Sequence, residues 1–103
     1  MANKNTKDTI GTVYMVMEDV RGARTVKVGF TNNIARRMRE YASHSTTIKL
    51  IGMTEGTLET EKSFQAQLES MGFVRVNEFS EFFTIPRMYS KKWVRENGFG
   101  IFN

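Results

Sequence analysis

The chain has 103 residues, is 40% hydrophobic and 25% charged, and carries a formal net charge of +4 at pH 7. That is enough for one small domain with its own core, in the composition range of folded globular proteins. With no cysteine and one histidine, His44, the chain can hold no disulfide framework, thiolate zinc site, cysteine nucleophile or multi-histidine metal cage.

Met1 to Ile10 is polar and lacks the apolar centre of a secretory leader, so 1–10 reads as a flexible tail. Thr12 to Met17 is β-branched, aromatic and apolar, and reads as a strand. Glu18 to Ala23 is a charged, glycine-containing hairpin loop. Arg24 to Phe30 alternates polar and apolar residues, which predicts a second strand antiparallel to the first. A helix follows from about Asn33 to Ser43, capped by Thr31-Asn32-Asn33, with Ile34, Met38, Tyr41 and Ala42 as its apolar positions. Ile48 to Thr54 is a third strand. Thr57 caps a second helix that runs to Met71 and stops at Gly72, with Glu59 in its first turn. Phe82 to Ile85 is a short apolar run, and Pro86 is placed to open a last helix through about Glu96. The expected fold is α+β: a small three-stranded antiparallel sheet flanked by helices in a β-β-α-β-α core over 11–85. A C-terminal helical extension, 86–103, packs on or beside it.

Charge is unevenly spread. Residues 21–39 hold Arg21, Arg24, Lys27, Arg36, Arg37 and Arg39 without one acid, while 55–69 hold Glu55, Glu59, Glu61 and Glu69 against Lys62 alone. A second basic cluster, Arg87, Lys91, Lys92 and Arg95, lies beside Tyr89 and Trp93. Basic stretches of this kind are either solvated faces or the footprint of an anionic partner. No apolar run approaches the ~20 residues needed to cross a bilayer, so the expected location is cytoplasmic, with no membrane partner.

Helical spacing singles out two charges. Arg37 is three residues after Ile34 and four before Tyr41, so it shares their inward stripe. Glu61 is three from both Leu58 and Phe64, and shares the stripe of Leu58, Phe64, Leu68 and Met71; Gln65 lies one turn beyond it. An isolated buried charge costs several kcal/mol, so each needs a partner or a wet cleft. Two outcomes fit: an Arg37–Glu61 ion pair between packed helices, or a cleft where the pair meets a phosphate and a divalent cation. A hard cation such as Mg²⁺ can use one carboxylate completed by water and substrate oxygens. On the strands, Tyr14 and Lys27 become neighbours if the hairpin pairs as its pattern suggests.

Thr12-Val13-Tyr14, then Lys27-Val28-Gly29-Phe30-Thr31, then Asn33-Ile34 and Arg36-Arg37, resemble the motifs of the GIY-YIG nuclease superfamily. The string is most similar to the T5orf172 branch, common in phages, where the second motif often reads K-I-G. Glu61, Gln65 and Glu81-Phe82-Phe83 resemble the later motifs of that branch. The resemblance implies a metal-dependent DNA endonuclease using Mg²⁺ or Mn²⁺. It implies that Tyr14 orients or deprotonates the attacking water and that Lys27 stands at the second tyrosine. It also implies that Arg37 contacts the scissile phosphate, that Tyr41 lies near it, and that Glu61 is the metal-binding carboxylate. Arg21, Arg24, Arg36 and Arg39 are then expected to hold backbone phosphates of DNA. The chain departs from the pattern with Thr12 for glycine, Gln65 for histidine and Phe82 for tryptophan. A rival reading keeps the fold without turnover: a module that binds nucleic acid or a host protein, with a homodimer as a further option.

Overall fold

The computed structural model describes residues 9–78 and 80–98. The expected N-terminal tail, save Thr9 and Ile10, and the end of the expected C-terminal extension lie outside them. Among the described residues, five strands form one antiparallel sheet: β1 Gly11–Glu18, β2 Thr25–Thr31, β3 Ile48–Gly56, β4 Val74–Arg75 and β5 Phe82–Thr84, in spatial order β3-β1-β2-β5-β4. The helices are α1 Ile34–His44, α2 Leu58–Ser70 and a short α3 Lys91–Trp93, which runs into a π-helical turn, Val94–Gly98.

The α+β class and the β-β-α-β-α order match the sequence reading, while the three-stranded sheet is corrected to five. β5 pairs with only three residues of β2, and β4 with two of β5. Strands so short show no alternation for the sequence to display.

Local chemistry explains the element ends. The β1–β2 loop turns at Gly22, whose φ of 86° is in the left-handed region that glycine enters freely. The Asn33 side chain accepts the Arg36 N–H at 2.9 Å and caps α1. Thr57 and Thr60 exchange side-chain-to-backbone bonds as a capping box at the start of α2. At its end, Gly72 has φ 93°, and the N–H groups of Gly72 and Phe73 return to the carbonyls of Glu69 and Leu68.

The last helix does not begin at Pro86. The Pro86 carbonyl accepts both the Tyr89 N–H and the Arg24 guanidinium, which holds the segment as a turn. Ser90 then caps the helix by accepting the Trp93 N–H.

Strand parity divides the sheet into two faces. One carries Val13, Met15 and Met17 of β1, Val26 and Val28 of β2 and Phe83 of β5. Phe64 and Leu68 of α2 pack there with Phe73, Ile85 and Val94, and these eleven residues are the core. The other face carries Tyr14, Val16, Lys27, Gly29 and Phe82. α1 meets this face through Tyr41, and none of its residues is buried. β3, the long outer strand, slips register between Met15 and Val16, leaving Ile51 as the extra residue of a bulge. A bulge on an outer strand discourages edge-to-edge association. No helix among the described residues is long and apolar enough to cross a membrane.

Candidate active site

Tyr14 sits at the middle of β1, directly opposite Gly29 of β2. A β-carbon built on Gly29 would overlap the Tyr14 phenol, so only glycine lets the ring lie across the neighbouring strand. The phenol oxygen then lies 2.9 Å from the Tyr41 hydroxyl, with the two rings edge to face. Arg37, one turn before Tyr41 on α1, donates from Nη1 to the Tyr14 oxygen at 3.0 Å and from Nε to Glu40 at 3.1 Å. The α1 stripe thus supplies a guanidinium and a hydroxyl to one buried phenol.

Lys27 is diagonal to Tyr14 on the same face, opposite Val16 and Phe82. Its ammonium lies 2.8 Å from the Glu81 carboxylate, and 5.5 Å and 5.9 Å from the ring centres of Tyr41 and Phe82. The expected Tyr14–Lys27 neighbourhood therefore forms through Tyr41. Glu61, half-buried on α2, accepts from Gln65 Nε2 at 3.4 Å, while the same amide reaches the Val28 carbonyl at 3.3 Å. Gln65 in this way ties the Glu61 side chain to the backbone of β2.

No ion pair joins Arg37 to Glu61 among the described residues, since Arg37 is engaged by Glu40 and Tyr14. Of the two outcomes left open by the sequence, the plain helix–helix ion pair is not formed.

The electrostatics follow from burial and neighbours. Burial pushes the Tyr14 phenol well above the usual tyrosine range. Tyr41 adds to the push, and the Arg37 guanidinium offsets only part of it. Tyr14 is therefore a protonated phenol at neutral pH. Burial also pushes the Glu61 carboxyl up, and the nearby Glu81 charge adds to it; Lys27, Lys62 and Arg37 pull the other way. Burial pulls the Lys27 ammonium down, but Glu81 and Tyr41 outweigh it and leave the group above its ordinary value.

The basic residues separate. Arg21 is exposed in the β1–β2 loop, and Arg36 and Arg39 are exposed on α1, Arg36 lying 3.9 Å from Glu40. Arg24, expected on a phosphate, instead donates to the carbonyls of Pro86 and Tyr89 and clamps the C-terminal segment to the hairpin. Tyr89 and Trp93 of the second basic cluster stack on each other, 4.7 Å between ring centres, and pack against the core.

Two side chains at the site, Glu40 and Glu81, are given no role in the sequence reading, although Glu81 belongs to the Glu81-Phe82-Phe83 resemblance. Glu40 was discoverable, being three residues from Arg37 and four from Arg36. Glu81 stands ahead of β5, and only the β2–β5 register brings it to Lys27.

The sheet presents a phenol and a lysine on one face, with an arginine from α1 above them and a glutamate from α2 nearby, a setting that accords with a nuclease-like or DNA-binding domain. The chain belongs to the T5orf172 domain family, whose profile matches residues 11–98. No curated protein and no solved structure matches it.

Proposed function

We propose that the protein is a small metal-dependent endonuclease that hydrolyses phosphodiester bonds of DNA. The observation that carries this reading is the joining of Arg37 to the buried Tyr14 phenol beside Lys27, with Glu61 left without an ion pair among the described residues. Hydrolysis builds negative charge on the non-bridging phosphate oxygens. Arg37 has Nη2 donors left for those oxygens once Nε and Nη1 are engaged. Tyr14 keeps its proton in the free protein and is sealed from solvent with its hydroxyl engaged by Tyr41 and Arg37, so its role is to hold the Arg37 guanidinium in place for the phosphate. Gln65 orients Glu61 and moves no proton.

Among the described residues no group of three or more acidic or histidine side chains could hold a metal. A cation held here would have to be one content with one carboxylate, water and substrate oxygens, the habit of Mg²⁺ or Mn²⁺. Glu61 would hold it, and the ion would supply charge neutralisation at the phosphate. Exposed Arg21, Arg36 and Arg39 would engage backbone phosphates, giving affinity without sequence preference.

The test is conversion of supercoiled plasmid to nicked circles with Mg²⁺, Mn²⁺ or a chelator. Metal-dependent nicking is expected, slowed about 10²–10³-fold by Arg37→Ala, the usual cost of deleting one charge-stabilising donor. The high-lying Tyr14 phenol and the Lys27–Glu81 ion pair also suit a silent binding module. DNA binding that weakens steeply with salt, without nicking, selects that reading.

A further inference from the structure

Lys27 is the most enclosed cation of the site, its side chain only 15% exposed, whereas its partner Glu81 is 64% exposed. Phe82, the next residue after Glu81, pairs directly with Lys27 across the β2–β5 ladder. The backbone therefore delivers Glu81 to the tip of Lys27, and the Phe82 and Tyr41 rings flank the ammonium. An ammonium has three donors; one goes to Glu81 and the Tyr41 hydroxyl engages a second, so one remains for a ligand.

We propose that Glu81 is a positioning residue that fixes the Lys27 ammonium as a phosphate-facing cation. The proposal rests on the endonuclease reading and deepens it, because it decides what Lys27 does. A lysine so held enters the reaction charged and cannot take the proton of the attacking water. Its work is to hold a non-bridging oxygen opposite Arg37. The groups around it support a charged state: Tyr41 from α1, Glu61 from α2 and Glu81 ahead of β5, while the Arg37 charge also acts on Glu81. Glu81 is in turn held below the usual carboxylate range, first by its bond to Lys27. Glu81 need not touch DNA, and a bare carboxylate at a phosphate site would repel it unless Lys27 neutralised it.

The test compares full-length wild type, Glu81→Gln and Glu81→Asp. The first readout is the ¹H–¹⁵N signal of the Lys27 ammonium, which survives solvent exchange only when the group is held. It is expected in the wild type, lost in Glu81→Gln and regained in Glu81→Asp. The second is steady-state plasmid cutting: kcat should fall about tenfold in Glu81→Gln, as for loss of a supporting contact, with KM for DNA unchanged or lower and the melting temperature unchanged. A Lys27 signal indifferent to Glu81→Gln overturns the proposal, as does an unchanged kcat. If the wild type binds DNA without cutting, the endonuclease reading falls by itself. The ammonium signal then decides alone whether Glu81 fixes Lys27.

Discussion

The two faces of the same strands show two solutions to one packing problem. On one face Val13, Met15, Met17, Val26 and Val28 meet Phe64 and Leu68 of α2 and are sealed from water. On the other, Tyr14, Val16, Lys27 and Gly29 alternate with those very residues; Tyr14 and Val16 are sealed too, but Lys27 keeps some exposure and the helix above, α1, buries none of its own side chains. The first face gains stability from apolar area removed from water. The second holds ionisable groups in place by hydrogen bonds and ion pairs, each worth little to stability. Alternation along two strands thus separates what folds the molecule from what equips it.

Substitutions on the two faces should therefore behave differently. Leu68→Ala, in the sealed core, should lose about 2–5 kcal/mol of stability in denaturant unfolding, with cutting retained wherever the protein is still folded. Gly29→Ala strikes the junction of both properties. Its methyl group must displace the Tyr14 phenol, costing about 1–3 kcal/mol by overpacking and breaking the Arg37–Tyr14–Tyr41 chain. Thermal melting and cutting should fall together there. Equal effects of Leu68→Ala on cutting and on stability would blur the division between the faces.

Glu61→Gln should have the smallest effect on stability and a revealing sign. A carboxyl whose folded-state pKa is raised is disfavoured when ionised, so its charge costs stability at neutral pH. That cost is present above the folded value and vanishes as pH falls through it. The variant should melt at or above the wild type at pH 7, and the difference should close on acidification.

Much of this was legible in the chain. The 3.6-residue period put Arg37 with Ile34 and Tyr41, and Glu61 with Leu58 and Phe64, and both charges are half-buried at the site. Thr57 and Gly72 marked the ends of α2 by their own chemistry. What escaped was tertiary. Arg24 looks like any phosphate-binding arginine until Pro86 and Tyr89 turn their carbonyls toward it. Glu81 is part of a motif match without a stated role until a three-residue strand pairs beside Lys27. Pro86 has the φ of a helix start, yet its carbonyl is claimed by Arg24 and by the turn to Tyr89.

The most direct measurement sets plasmid cutting and melting temperature of Glu61→Gln against the wild type, side by side at pH 7. If Glu61, at the rim of the core helix α2, serves chemistry and not folding, metal-dependent cutting should fall at least about 100-fold in a protein that melts no lower. Cutting at the wild-type rate, or a loss of cutting that merely tracks a loss of fold, would contradict it.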